Sequence, residues 1–367
     1  MDGKRIYSKV KYWILAGESS GDLHAAKLIN SLKHLDAEAN FEGWGGDSMQ
    51  EAGMTVHKHI EELAFMGFIE VIANIRTILK NFKEVKASIE SFMPDVIVLV
   101  DYPGFNLRLA KWAKAKGYRV IYYIAPQAWA WKANRVEKLK AHTDKLLCIL
   151  PFEKDWFAER GLDVEYVGHP LLEEIDYGDS SEKENCIALL PGSRKQEIEA
   201  ILPIMLTVLD DFPSMEFSIL KAPNVSAAYY ERFVKESRVK LEVNKGALLK
   251  KTKAALVASG TATLEAMLYE IPQVVCYKGS GASVQIAKRL IKVPFISLVN
   301  LLAKKEVVRE LIQDDFNRAN LKLELDKLLN APQEMLSEYS TIRSSLGKAD
   351  ASKNAAASIH NYLVSKR

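Results

Sequence analysis

Residues 95–104 read DVIVLVDYPG, and residues 185–193 read NCIALLPGS. In each, apolar residues run on without alternation and stop at a turn containing Pro and Gly. Such a run is a strand buried on both faces, which requires helices above and below it and hence a parallel sheet. Outward from these two stretches the same signal recurs. The first half adds VKYWILAG (10–17), RVIYYIAP (119–126), DKLLCILP (144–151) and VEYVGHP (164–170); the second adds MEFSILKAP (215–223), KAALVASGT (253–261) and IPQVVCYK (271–278). Helical patterns separate the runs, so right-handed strand–helix–strand crossovers follow. Two such series predict an α/β protein of two Rossmann-like domains facing one another, each with a parallel sheet. The break falls after His169-Pro170, where LLEEIDYGDSSEKEN (171–185) is polar and aperiodic. The expected domains are therefore 1–170 and 171–344, with an Ala-rich helix, 345–367, returning to the first.

Composition narrows the function. Lys and Arg number 50 against 47 Asp and Glu, a net charge of +3, which gives no general field for nucleic acid, and no nucleic-acid partner is expected. No apolar run approaches the roughly 20 residues needed to span a bilayer, and Met1–Lys11 is polar and charged, so no secretory signal is read and a cytoplasmic location is expected. Cys148, Cys186 and Cys276 each sit alone inside an apolar run, which predicts buried free thiols. His57 and His59 lack a third ligand nearby, and a surface strand is the reading taken over a metal pair. No metal and no cofactor are expected.

Ligands of open α/β sheets bind in loops beyond the carboxyl ends of strands, which directs attention to four loops. The first is Gly17-Glu18-Ser19-Ser20-Gly21-Asp22, read either as a turn capped by Ser20 or Asp22 or as the wall of a site. The second carries Asp101 at the end of a buried strand. Partial desolvation there raises a carboxyl pKa and suits a general base, and Asn106 is the better cap for the next helix. The third, Gly192-Ser193-Arg194, pairs free amides with a planar guanidinium and suits a pyrophosphate. In the fourth, Gly260 and Thr261 suit phosphate, and Glu265 one turn on is either a ribose ligand or a core-rim carboxylate. His24 and His169 adjoin these loops as candidate hydrogen-bonding neighbours.

One helical stretch, 68–92, stands apart. At 100° per residue, Phe68, Val71, Ile72, Ile75, Ile78, Leu79, Phe82 and Val85 share an apolar arc, and Arg76, Lys80 and Lys83 form a basic stripe along its edge. Burial within its own domain explains the arc; insertion at an anionic membrane surface explains both arc and stripe.

Taken together, GESSGD (17–22), GWGGDSMQEAG (43–53), ELAFMGFIEV (62–71), PDVIVLVDYPGFNLRLAK (94–111), YYIAPQAWAWKANRV (122–136), ILPFEKD (149–155), VGHPLL (167–172), LLPGSRKQEI (189–198), SGTATLEAML (259–268) and SLVNLLAKKEVVRELIQDD (297–315) resemble the lipid-A-disaccharide synthase family. The match runs in order from Lys11 to Asp315. It departs where the family's GEASGD reads GESSGD and where its SLPN carries Val299 before Asn300. The resemblance implies a GT-B fold and an inverting, metal-independent glycosyltransferase that is peripheral to the cytoplasmic face of the inner membrane. It implies transfer of 2,3-diacylglucosamine from UDP-2,3-diacylglucosamine to 2,3-diacylglucosamine 1-phosphate, forming a β-1,6 disaccharide and UDP. By motif, Asp101 is then the base and Arg194 the group that neutralises departing UDP, with the Gly260 and Thr261 amides supporting it. Glu18, Ser19 and Ser20 shape the acceptor side, Glu265 and Asn300 the uridine or ribose side, and Gln127 and Trp129 the cleft. A phospholipid surface becomes a partner of the 68–92 helix; the oligomeric state, a homodimer included, stays open.

Two other readings compete. One is a different UDP-sugar enzyme of the same fold, an N-acetylglucosamine 2-epimerase or a peptidoglycan glucosaminyltransferase. Epimerase chemistry calls for more strand-end carboxylates than this chain offers. The other is a non-catalytic sugar-nucleotide or solute-binding module, against which Asp101 opposite Arg194 argues.

Overall fold

The structure is a computed structural model in which residues 9–63, 75–131, 134–175, 183–234, 237–279 and 294–366 are described. It divides into two compact units, Met1–Glu173 with Lys348–Arg367, and Glu174–Gly347.

The first unit runs β1 (Lys11–Ala16), α1 (Ser19–Leu35), β2 (Asn40–Gly45), α2 (Asp47–Glu51), β3 (Thr55–His59), α3 (Ile75–Phe92), β4 (Val96–Val100), α4 (Pro103–Ala115), β5 (Val120–Tyr123), α5 (Ala128–Trp131), α6 (Arg135–His142), β6 (Lys145–Cys148), α7 (Pro151–Ala158) and β7 (Glu165–Tyr166). Its sheet has the order β3-β2-β1-β4-β5-β6-β7, and every pairing is parallel. The unbroken apolar runs follow from cover on both faces. Tyr12, Ile14, Val98 and Val100 point into a core shared with Ala25 and Ile29 of α1. Their neighbours Trp13, Leu15, Ile97 and Leu99 point the other way, against Val85 and Ile89 of α3 and Leu109 of α4.

The second unit runs β8 (Cys186–Leu190), α8 (Lys195–Met205), β9 (Glu216–Leu220), α9 (Ala227–Glu231), β10 (Val239–Glu242), α10 (Lys245–Lys251), β11 (Ala254–Ala258), α11 (Thr261–Leu268), β12 (Gln273–Tyr277), α12 (Leu298–Ala303), β13 (Glu310–Ile312), α13 (Arg318–Asn330) and α14 (Gln333–Ser345). The sheet order is β10-β9-β8-β11-β12-β13, again parallel throughout. The last helix, α15 (Ala351–Ser365), belongs to the first unit. Its Ala355, Ala356, Ile359 and Leu363 enter the core beside α1, and the Glu173 carboxylate accepts from the Ser352 amide at 2.7 Å.

All three cysteines are buried and free, and burial pushes the Cys148 and Cys276 thiols far up. His57 and His59 lie on β3. His57 Nε2 is 2.7 Å from Glu42 Oε2, and its ring stacks on Trp13 at 5.6 Å. Among the described residues no three potential ligands converge as a metal site, and no helix is long and apolar enough to cross a membrane.

The apolar arc of α3 divides. Val85 and Ile89 are core, and Phe82 stacks on Phe105 of α4 at 4.2 Å. Leu79 is 62% exposed, and the exposed Arg76, Lys80 and Lys83 flank it on the outward side. Phe68 and Ile72, and the side chain of Ile75, lie outside the described residues. So the helix is held by its own domain through its second half while its first half presents an apolar residue among cations.

Candidate active site

In an open parallel sheet the crevice opens where successive strands depart in opposite directions from the first one laid down. In the first unit that point lies between β1 and β4, and in the second between β8 and β11. Loops one to four, singled out from the sequence, are the four that end these strands.

The first unit builds its crevice from close packing. Gly17 has no room for a side chain: a Cβ there would lie 2.4 Å from the Tyr102 ring. Glu18 stands at the N-cap position of α1, with Ser19 and Ser20 exposed in its first turn. Asp22, read as a cap for α1, turns out to serve another helix. Its buried carboxylate accepts from the amides of Gly46, Ser48 and Met49 at 2.6, 3.0 and 3.2 Å, so it caps α2 and ties the GESSGD turn to the GWGGDSM turn. The reason is that β2 lies beside β1, which brings the start of α2 under α1. Asp22→Ala strands three amides and is expected to lower unfolding free energy by about 3 kcal/mol, read from urea denaturation. Asp22→Asn, with one acceptor kept, is expected to lose less.

At the end of β4, Asp101 and Tyr102 both adopt left-handed backbone, with φ of 45° and 48°. Each such residue costs about 1–3 kcal/mol and persists only when its surroundings hold it. Here the Asp101 carbonyl accepts from the Tyr122 hydroxyl at 2.5 Å and from Asn106 Nδ2 at 2.8 Å, and its amide donates to the Tyr123 carbonyl at 3.0 Å. Asn106 therefore does not cap α4, which begins at Pro103; it pins the strand end from inside the helix. The backbone twist sets the Asp101 carboxyl at the crevice. Burial raises its pKa, opposed by the Tyr102 amide and by the charges of His24 and Arg135. A carboxyl so placed is tuned to take up a proton.

Beyond β5, Gln127 is exposed and Trp129 buried. The Trp129 indole N–H donates to Glu153 Oε1 at 2.9 Å, and Glu153 Oε2 accepts from the Leu150 and Ile149 amides at 3.0 and 3.2 Å. Glu153 is 1% exposed, and burial pushes its carboxyl up to about 7. Sequence reasoning missed Glu153 and Arg135. Both stood inside quoted motifs, PFEKD and KANRV, as an ordinary first-turn acid and an ordinary helix-start cation.

In the second unit Gly192 has φ 108°, and Glu197 fills the space where a side chain would lie. The Glu197 carboxylate accepts from the Ser193 and Arg194 amides at 3.1 and 3.3 Å, and Arg194 Nη1 lies 3.4 Å from its other oxygen. A carboxylate thus rests on the donors that suit a diphosphate. On the adjacent loop Gly260, φ 153°, opens onto free space before α11, and Thr261 is exposed. Glu265, 8% exposed, is held by Lys245 at the start of α10. Asn300 departs from expectation. Its amide donates to the Val308 carbonyl and Glu310, and its oxygen accepts from the Val307 and Val308 amides, so it clamps its own loop and has no bond left for a nucleotide.

Residues 12–361 match the family model described as lipid-A-disaccharide synthetase. The lipid-A-disaccharide synthase of Gluconobacter oxydans is 37% identical over 88% of this chain and 82% of its own length. That of Coxiella burnetii is 34% identical over 96% and 98%. A UDP-GlcNAc 2-epimerase from Neisseria meningitidis, solved with UDP-GlcNAc bound, superposes with a TM-score of 0.67 at 14% identity, covering 96% of this chain and all of that one. That likeness carries the fold alone, the GT-B class. With a family match across nearly the whole chain and relatives more than 30% identical over most of both lengths, the chain belongs to the lipid-A-disaccharide synthetase family and is a glycosyltransferase of lipid A biosynthesis.

Proposed function

We propose that the chain transfers 2,3-diacylglucosamine from UDP-2,3-diacylglucosamine to the 6-hydroxyl of 2,3-diacylglucosamine 1-phosphate. The observation that carries this reading is the placement of a raised-pKa carboxyl, Asp101, at one crevice and of an anion-seeking loop, Gly192–Arg194, at the other. The acceptor hydroxyl gives its proton to Asp101 as its oxygen bonds to the anomeric carbon. The bond from that carbon to the diphosphate breaks, its electron pair leaves with UDP, and the configuration inverts. Arg194 and the Ser193, Gly260 and Thr261 amides meet the charge growing on the diphosphate, a role that elsewhere falls to a divalent ion. Glu18, Ser19, Ser20 and Gln127 border the acceptor, and Glu265 with Lys245 borders the ribose.

Acylated substrates place the reaction at a bilayer, here the cytoplasmic face of the inner membrane, with Leu79 and the cations Arg76, Lys80 and Lys83 as the contact. Each basic residue near an anionic surface contributes about 1 kcal/mol. Leu79→Ser with Lys80→Glu and Lys83→Glu is therefore expected to release the protein from phosphatidylglycerol vesicles in a flotation assay. Turnover on detergent-dispersed substrate should stay close to that of the parent. Retention on vesicles would move the contact elsewhere.

The function is tested by supplying both lipids to the wild-type chain in the presence of EDTA. Disaccharide 1-phosphate and UDP in equal amounts are expected. No product, in detergent or in liposomes, would return the fold to the epimerase and binding-module readings.

A further inference from the structure

Three loops meet at the carboxyl ends of β4, β5 and β6, which are neighbours in the first sheet. One side chain links two of them. Glu153 takes its two backbone amides from the loop after β6 and its indole donor from Trp129, in the segment after β5 that also carries Gln127. Phe152 packs edge-on against the same indole with ring centroids 5.1 Å apart. We infer that Glu153 is a positioning residue for the acceptor side, its buried carboxylate fixing Trp129 and thereby holding the Gln127 segment beside the strand end that carries Asp101. This deepens the transferase reading and rests on it.

The link is tight because all three donors bond directly to one carboxylate, at 2.9 to 3.2 Å. A bond to an ionised acceptor is roughly twice as strong as a neutral one, and protonation removes an acceptor from the set. Among the described residues, Asp101 at the end of β4, Cys148 on β6 and Tyr166 on β7 interact electrostatically with Glu153. The Asp101 charge adds to burial in raising it, and Glu153 in turn raises Cys148 and Tyr166. The acid that secures the segment therefore changes charge near neutrality, and the ionisation of Asp101 bears on it.

A positioning role leaves a signature that a merely structural glutamate lacks. In the full-length protein the Trp129 indole N–H resonance, assigned by its loss in Trp129→Phe, should titrate with the Glu153 carboxyl, at a midpoint of about 7. The midpoint should fall in Asp101→Asn, which removes one of the charges that raise it, and the titration should vanish in Glu153→Gln. In kinetics, Glu153→Ala is expected to lose about 10²-fold in kcat/KM for the acceptor, with UDP affinity unchanged. Glu153→Gln keeps an oxygen for the indole but sets an amide NH2 against the Ile149 and Leu150 amides, and should recover part of the loss. If the alanine variant does not fold, Trp129→Phe carries the kinetic arm, since it keeps a ring and loses the donor. A resonance flat across neutral pH, or equal losses in the Ala and Gln variants, would overturn the inference. Absence of disaccharide from the wild type is a separate outcome that sinks the transferase reading, because the Trp129 titration is read without substrate.

Discussion

Asp101→Asn is expected to abolish turnover almost completely, by about 10³-fold in kcat, while UDP binding stays within a factor of two. The asparagine keeps the shape of the side chain and accepts no proton at the pH of the reaction. The backbone at 101 is held through its own carbonyl and amide by Tyr122, Asn106 and Tyr123, so the substitution leaves those contacts in place. The pH dependence follows from the direction of the shift. Burial raises the Asp101 carboxyl above the ordinary aspartate range, so the acidic limb of kcat should lie above that range too. The same shift bears on stability. The folded state holds this proton more tightly than the unfolded chain, so stability falls as pH rises from the ordinary value through the raised one, and the cost is complete above it. Asparagine escapes that cost. The variant should be at least as stable as the parent at neutral pH by thermal unfolding, inactive and well folded together. A variant that retained activity would place the base elsewhere.

Arg194→Ala is expected to lower kcat by about 10²–10³-fold and to weaken UDP binding. Its guanidinium already lies against a carboxylate, Glu197, which occupies the Ser193 and Arg194 amides as a diphosphate would. Arg194→Lys keeps the charge and loses the planar fork, and should recover only part of the loss. Rapid-quench single turnovers with UDP titration by calorimetry separate the two effects. Loss confined to binding would give Arg194 a ground-state role and leave the departing UDP to the loop amides.

The two sheets could be read from the chain because a strand buried on both faces has a local signature, as in Val96–Val100, and because a carboxylate directly after such a strand is conspicuous. What escaped the reading depends on which strands lie side by side. Asp22 looked like a cap for its own helix and serves α2, because β2 lies beside β1. Asn106 looked like a helix cap and pins the end of β4, because the chain enters α4 through Tyr102 in a left-handed turn. Glu153 looked like an acid in a first helical turn until the pairing of β5 with β6 brought Trp129 over it. On α3, periodicity found the apolar arc but not the division between Val85, in the core, and Leu79, outside it. Asn300 was assigned by motif alone, and its loop consumes it.

The return of α15 to the first unit has a consequence for biogenesis. A ribosome delivers residues 11–173 early, yet the groove along α1 that receives Ala355, Ile359 and Leu363 stays open until the whole second unit has emerged. Each large aliphatic side chain buried there contributes roughly 1.5–3 kcal/mol, so a nascent first unit lacks the increments of Ile359 and Leu363 and exposes an apolar strip. The second unit, whose segment is continuous, can complete its core first. The half of the protein made earliest is thus the half that matures last, and a stalled or prematurely ended message leaves it as a substrate for chaperones and proteases.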